Sequence, residues 1–584
     1  MASEEVAFAT GQFVPKSLRE MVPLVVGVTS HRNLLPEEIE PIRQRVREFF
    51  AILRREFPDM PLVVLSPLAE GGDQCVAEEA LASGALLVAP LPMSRESYAR
   101  DFEEPQARAR FERLCAAAAI IEVPDATGGL TQGAHTDAER DLYYAQAGVY
   151  VSNHAHILLA IWDGKDSGMH GGTAQVVRYH FKGIKPSYDQ RQRGGVHTLD
   201  DESERLAYHI VCSRDQVDGS PPPALRPLDT WWRMGSRAIP GTQAMPEEFR
   251  AIFLAMREFV DDAEKYADRI ETAVAAETSQ RAADSPPASD RLFRPADWLA
   301  GHFQRRVLLT LRALYTMAAL MAIAFVAFDD LPDQDSMIFV FLLLFALGGG
   351  VALLANRRGW HRKYLDYRAL AEGLRVQSYW HRAGLSLTDD VEFGRDNFLR
   401  KQDLELGWVR NVLRCGGLAN DLGGRMGSVQ EVRSVIRQWV GDDQHGGQLD
   451  YYRRKAAQRA RMHKLTERIG TASLLAGAGI SVVLALFLHA MSQDTRNELI
   501  VVMAVFSIVG GVRLAYAHKK ADKELIKQYR YMRRIFGEAR EALDHAADVE
   551  EQRDILRLLG NASLSEQVEW TLMHRQRPLE HNRI

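Results

Sequence analysis

Four long apolar runs occupy the second half of this chain, at 307–328, 337–355, 470–491 and 499–517. A run of roughly 18 or more apolar residues is long enough to cross a bilayer as a helix. The runs pair into two hairpins. The connector inside the first pair carries Asp329, Asp330, Asp333 and Asp335, and that inside the second carries Asp494, Arg496 and Glu498. Outside the pairs lie Arg305, Arg306, Arg357, Arg358, Arg362 and Lys363, then a basic stretch at 453–468, then Lys519, Lys520 and Lys523. Short Lys/Arg-rich flanks stay on the cytoplasmic side. Both termini and the segment between the hairpins are therefore expected to be cytoplasmic.

At 584 residues the chain exceeds what one hydrophobic core usually organises, so at least two domains are expected. The net charge of -5 and the clustering of basic residues at the membrane feet argue against nucleic-acid binding. Cys75, Cys115, Cys212 and Cys415 lack metal-ligand spacing and read as core thiols. Glu4 and Glu5 with no apolar core behind them do not make a signal peptide, which leaves the first span as the expected insertion signal.

Between Val22 and Val211, short β-branched runs alternate with helical stretches. Strands are predicted at 23–28, 62–66, 86–91, 118–123, 157–162 and 208–212, with amphipathic stretches such as 36–57 and 74–83 between them. That alternation predicts an α/β domain: a Rossmann-like, doubly wound parallel sheet with helices on both faces and ligands at the carboxyl ends of its strands. Loops are expected at 191–202 and 219–227, a helical stretch at 246–277 and a linker at 279–290. Beyond the first hairpin, 359–384 reads as a helix with Tyr364, Tyr367, Leu370, Leu374 and Trp380 along one stripe. The region 389–452 reads as helical with breaks at Gly416, Gly417, Gly423 and Gly424, and 520–557 as one charged helix. Gly349-Gly350-Val351 and Gly510-Gly511-Val512 each precede a basic, Tyr/Arg-rich helix, which suggests two tandem copies of one hairpin-plus-helix module. The resulting division is an extension at 1–20, the α/β domain at 21–278, a linker at 279–300, hairpin modules at 301–384 and 456–545 around a connector at 385–455, and a tail at 546–584.

Three glycine-bearing turns follow strands of this sheet. The first is Gly27-Val28-Thr29-Ser30-His31-Arg32, where glycine lets a ligand approach the backbone and Arg32 can fork onto a phosphate or carboxylate. An ordinary turn with an exposed arginine explains it equally well. The second runs Ser66-Pro67-Leu68-Ala69-Glu70-Gly71-Gly72-Asp73 into a helix, so free N–H groups favour an anion there. Asp73 either caps that helix or orients the loop or a ribose. The third is Trp162-Asp163-Gly164, with Gly168 to His170 and then Gly171-Gly172-Thr173 opening another helix, where Thr173 can add a hydroxyl to a phosphate site. In the membrane part, Arg312 and Arg513 near cytoplasmic span ends fit snorkelling better than pore lining, and Gly348 to Gly350, Ala476 to Gly479 and Gly510-Gly511 permit close helix approach. No span carries Asp or Glu, which argues against a proton relay.

The three turns resemble those of the SLOG superfamily, Rossmann-like nucleotide-binding domains related to cytokinin-activating LOG enzymes and to the DNA-processing protein DprA; the similarity covers 21–214. The helix Tyr367-Arg368-Ala369-Leu370-Ala371-Glu372-Gly373-Leu374-Arg375-Val376-Gln377, with Trp380 and Gly384, resembles the helix after the hairpin in SLATT-like membrane effectors of bacteria. The tail around Trp570, His574, Arg575, Arg577 and Pro578 shares that likeness less specifically. The resemblance implies a bacterial inner-membrane protein of antiphage defence. Its expected ligand is a nucleotide second messenger, such as a cyclic oligonucleotide or an ADP-ribose derivative, supplied by a messenger-synthesising enzyme. It also implies a homo-oligomer acting on membrane lipid, and four spans are few for a pore made by one chain. LOG hydrolases carry a glutamate shortly after their GGxGT turn, whereas Ala174 and Gln175 stand here, and glutamine is no general base. Glu70, Asp73 or Glu78 would have to substitute. Binding without turnover is expected, with no cofactor and no metal. The alternatives are a membrane-tethered hydrolase or glycosidase and a constitutive ion channel with a SLOG regulatory domain.

Overall fold

A computed structural model describes residues 15, 17–102, 104–123, 137–166, 172–182, 205–278, 288–331, 333–385, 406–423, 426–442, 446–487, 489–519 and 522–575. Gly171, Gly168 to His170, Gly424, Arg577, Pro578, the 191–202 loop and linker residues 279–287 lie outside this set. The chain divides into two compact units, Met1–Arg294 with Gly373–His381 and Ser386–Arg425, and Pro295–Glu372 with Arg382–Leu385 and Met426–Ile584.

The first unit is built on an eight-stranded sheet ordered β4-β3-β2-β1-β5-β6-β7-β8. Its strands are β1 (Leu24–Ser30), β2 (Leu62–Leu65), β3 (Leu86–Leu91), β4 (Ala119–Glu122), β5 (Ile157–Trp162), β6 (Leu206–Val211), β7 (Thr230–Met234) and β8 (Arg237–Pro240). Strands β1 to β6 pair in parallel, and β7 and β8 add an antiparallel edge. Parallel strands are covered on both faces, so they read as continuous apolar runs. Leu24, Val25 and Val26 of β1 and Ile157, Leu158 and Leu159 of β5 are wholly buried accordingly. Burying each such side chain contributes roughly 1.5–3 kcal/mol.

Helices α1 (Ile39–Glu56), α2 (Gly72–Ala82), α3 (Pro105–Ala117), α4 (Asp137–His154) and α5 (Thr173–Lys182) connect the parallel strands, and α6 (Glu247–Lys265) and α7 (Ala267–Thr278) follow the hairpin. Helix α1 shows how sequence spacing sets the packing. Ile42, Val46, Phe49, Phe50 and Leu53 recur on one face and are buried. Phe49 lies 4.6 Å from the Tyr208 ring of β6 and 6.1 Å from Trp232 of β7.

Helices α8 (Ala288–Asp330), α9 (Met337–Arg357), α10 (Trp360–Arg382), α11 (Gly407–Leu422), α12 (Val429–Val435), α13 (Gly447–Phe487), α14 (Gln493–Lys519), α15 (Asp522–His545) and α16 (Val549–Arg575) complete the chain. Helix α11 belongs to the first unit and packs on α6 and α4, where Tyr150 of α4 donates to Asp421 at 2.8 Å. It runs unbroken through Gly416 and Gly417, so the break expected there is absent. The reason is contact: a Cβ on Gly416 would meet Leu374, Gln377 and Leu292 at 3.3–3.4 Å, which makes it a packing glycine.

In the second unit four helices are long and apolar enough to cross a membrane. The third ends at Phe487, four residues before the expected limit of that span. The expected single helix at 520–557 is two helices, α15 and α16, separated around Ala546 to Asp548. The pattern of helix in, helix out and following helix occurs twice, as α8-α9-α10 with 43, 21 and 23 residues and α13-α14-α15 with 41, 27 and 24. Helices α13 and α14 meet through small residues. A Cβ on Gly510 would lie 2.7 Å from Leu474, and one on Gly470 would lie 3.3 Å from Leu514. Arg312 of α8 hydrogen-bonds Tyr516 of α14 at 3.5 Å, beside the Tyr315–Tyr516 edge contact. In α10 the predicted stripe is buried at Tyr367, Leu370, Leu374 and Trp380. Helix α16 folds onto α10 through Trp570 on Tyr364 and an Arg575–Asp366 ion pair of 2.9 Å.

Candidate functional site

Strand β1 lies between β2 and β5, and the chain leaves it toward both edges of the sheet: β2, β3 and β4 on one side, β5 through β8 on the other. At such a switch point a crevice opens outside the carboxyl ends of the strands. Three segments meet there. The His31 N–H donates to Ile161 O of β5 at 3.1 Å, and the Gly72 N–H donates to His31 O at 3.3 Å. The exits of β1, β2 and β5 are thereby tied into one surface.

The β2 exit is held in an unusual backbone path. Leu68 is fully buried with φ +59°, uncommon for a residue with a Cβ. Gly71 has φ +89° and ψ -123°, and a Cβ there would lie 2.1 Å from Arg32 O. Only glycine lets the loop rest on the backbone after β1. Gly71, not Asp73, occupies the N-cap of α2. Asp73 sits in the first turn, 3% exposed, and accepts a 2.6 Å hydrogen bond from the Ser30 hydroxyl. Burial pushes its carboxyl up to about 7, although the Ser30 hydroxyl and the Arg32 charge pull the other way. Loss of water outweighs both, and also the helix N-terminus, which favours a carboxylate.

His31 Nε2 stands 3.2 Å from Asp163 Oδ1 after β5, without the alignment of a good hydrogen bond. Burial pushes the imidazole below its ordinary value against the attraction of Asp163. Asp163 in turn accepts the Lys165 N–H at 3.0 Å. Arg32 is exposed, and its guanidinium lies 4.9 Å from the Tyr144 ring centroid. Tyr144 also bonds Asp101, which pairs with Arg140, and Tyr98 stands 6.0 Å from Tyr144. A guanidinium stacked on a ring keeps its N–H edge available for an oxyanion.

Ser30, His31, Arg32, Gly71, Gly72, Asp73 and Asp163 thus converge. Glu70 is half-buried on the same loop, and Gly164 follows Asp163. Thr29 is buried inside β1 opposite Ala160. Gly27 departs from expectation: it is inside β1, not at a turn. A Cβ there would meet Ala155 and Val151 of the α4 end at 2.7 and 2.8 Å, so it serves helix-on-sheet packing. Thr173 is the buried first residue of α5, behind Gly172. Glu78 is engaged away from the crevice by Arg43 at 2.5 Å and Arg113 at 3.0 Å.

No family model, curated protein or solved structure matches this chain. Its functional reading therefore rests on a nucleotide-binding type of fold joined to a membrane-spanning helical region. Tyr144 under Arg32, Tyr98 beside it and the positive φ of Leu68 are features that the sequence did not reveal. Helix α4 is buried on most of its surface, so its apolar residues form no single stripe to mark it. Nothing local announces the positive φ of Leu68.

Proposed function

We propose that the chain is a membrane effector gated by a nucleotide-derived messenger bound in the switch-point crevice. The observation that carries this reading is Arg32, exposed and stacked on Tyr144 beside the Gly71–Asp73 helix start, in a chain with four membrane-length helices. Arg32 and Thr173 would hold phosphate, and Asp73, which can donate as well as accept when protonated, would face a ribose or the loop. The resemblance to SLOG domains adds the finer proposal: a cyclic oligonucleotide or ADP-ribose derivative, made by a partner enzyme during phage infection. The ligand shifts an equilibrium between homo-oligomeric states, which it can do only by binding them unequally. Helices α10 and α15, which follow the second and fourth spans in the chain, would pass the shift to the membrane segments, and bilayer perturbation or channel opening would follow. Both termini would face the cytoplasm.

The test uses the full chain in detergent and in liposomes. A messenger nucleotide should raise the melting temperature and release trapped dye, and Arg32→Ala should weaken binding by about 10-fold or more. Unchanged affinity in that variant refutes the site, and a bound nucleotide that alters neither leakage nor oligomer size refutes gating. Asp73, buried in the first turn of α2 under the Ser30 hydroxyl, favours a second reading, the tethered hydrolase. Burial raises its carboxyl to about 7, the range of a general acid or base. Release of base or ribose from a nucleotide, lost in Asp73→Asn, would establish it.

A further inference from the structure

A fourth strand exit adjoins the crevice. Strand β6 lies next to β5, and after it the chain from Ser213 to Gly219 is stitched to the residues that follow β1. Arg214 pairs with Leu34 in an antiparallel bridge, the Asp215 N–H donates to Asn33 O at 3.0 Å, and the Leu35 N–H donates to Ser213 O at 3.2 Å. The loop is tied to the β5 exit as well: Lys165 Nζ donates to Asp218 O at 2.5 Å, and a Cβ on Gly164 would collide with Leu225. The exits of β1, β5 and β6 therefore form one rim.

This loop brings a second guanidinium to the exit of β1. Arg214 Nε donates to Asn33 Oδ1 at 3.2 Å, while the Asn33 amide donates to Gln216 Oε1 at 3.4 Å. One bond fixes the half-buried guanidinium and leaves its two terminal nitrogens without a hydrogen-bond or ion-pair partner among the described residues. Arg32, one residue before Asn33, has its ring contact with Tyr144 and likewise no ion pair among them. The two charges act on opposite sides of the β1 exit. Arg32 pulls down the Asp73 carboxyl that burial raises, and Arg214 lowers the His31 imidazole further than burial alone does. The nearby carboxylates are engaged elsewhere: Asp163 faces His31 and accepts the Lys165 N–H, and the buried Glu38 accepts the Ser213 N–H at 2.7 Å. Asp215 and Asp218 on the loop itself are exposed and pair with neither arginine.

We propose that Arg214 is a second phosphate-binding residue of the crevice and that the ligand carries a diphosphate, one phosphate held by Arg32 and the next by Arg214. This specificity rests on the crevice being the nucleotide site, and it narrows the ligand to nucleotides with two linked phosphates. A guanidinium fork grips two oxygens of one phosphate, so two forks call for two phosphates. Both are fixed to one short stretch of chain, Arg32 by its own backbone and Arg214 through Asn33. Neighbouring phosphates therefore suit them better than the separated phosphates of a cyclic dinucleotide. A monophosphate would engage only one fork.

The full chain in detergent is titrated by calorimetry, at fixed ionic strength and without divalent cations. The probes are inorganic phosphate and pyrophosphate, adenosine and guanosine mono- and diphosphates, and a cyclic dinucleotide. Each diphosphate should bind about 10-fold tighter than its monophosphate, and Arg214→Gln should bring the two to within about two-fold of each other. Equal affinity for mono- and diphosphates in the wild-type protein overturns the proposal, as does a diphosphate advantage that survives Arg214→Gln or a loss of both ligands alike in that variant. In those outcomes, and where only the cyclic dinucleotide binds, the diphosphate falls while the crevice remains a nucleotide site. Binding of no probe at all overturns both. Should Arg214→Gln fail to fold, wild-type protein still decides through arginine modification by phenylglyoxal, mapped by peptide mass spectrometry. A diphosphate that shields Arg32 and Arg214 alike supports the assignment, and one that shields Arg32 alone overturns it.

Discussion

Asp73 carries a carboxyl whose burial is opposed by one hydroxyl and a nearby arginine, and the balance gives a definite pH signature. Its ordinary value is 3.8, and in the folded chain it is about 7. Between those values the folded state holds more protons than the unfolded one, so stability falls as pH rises through that window. The difference corresponds to at most roughly 4 kcal/mol. Asp73→Asn should therefore melt above the parent protein at pH 8, and the gap should close toward pH 4 in thermal unfolding followed by circular dichroism. Glu566 acts in the same direction, raised from 4.5 to about 8 by burial and then by Glu372. Glu566→Gln should flatten the remaining slope between those values. Gly71→Ala tests the backbone path: with a Cβ 2.1 Å from Arg32 O at φ +89°, it should cost about 2–4 kcal/mol in denaturant unfolding. The glycine pair and Asp73 were readable as a turn feeding a helix. That Asp73 is enclosed under Ser30, with Gly71 as the cap, depends on a contact across 43 residues of chain.

Elements were legible where one period dominated. The six parallel strands are close to their expected positions because their residues are mostly apolar and buried, and α10 because its stripe is continuous. The β7-β8 hairpin was not found, although Gly235-Ser236 is a two-residue hairpin signal between Thr230–Met234 and Arg237–Pro240. Three of the four β8 residues are exposed and Ile239 is half-buried, so no clean alternation flags it. The hairpin glycines separate by packing in a way that composition does not reveal. Gly510 faces Leu474 closely, while Gly349 and Gly350 meet no described atom within 4 Å. Gly510→Ile should accordingly weaken the second hairpin and lower the melting temperature in detergent, while Gly350→Ile should change it little.

For the whole molecule, the charge asymmetry predicts which loops cross the bilayer. Cysteine placed by Asp333→Cys or Asp494→Cys should react with an impermeant thiol reagent in intact cells, and by Arg453→Cys or Lys523→Cys only after permeabilisation. The four native cysteines are buried and should contribute little background. Reaction at Lys523→Cys in intact cells would reverse the orientation. By itself the sequence determined the α/β sheet and the four apolar helices of membrane length. Each follows from local periodicity, which is written in neighbouring residues. Tertiary structure alone decided which turns share a surface. The order of strands brings His31 to Asp163 and Asp73 to Ser30, removes Gly27 from the site into packing, and brings Arg214 to Asn33. Those neighbours are distant in the chain, and burial, which sets their charge states, exists only once the fold has closed around them.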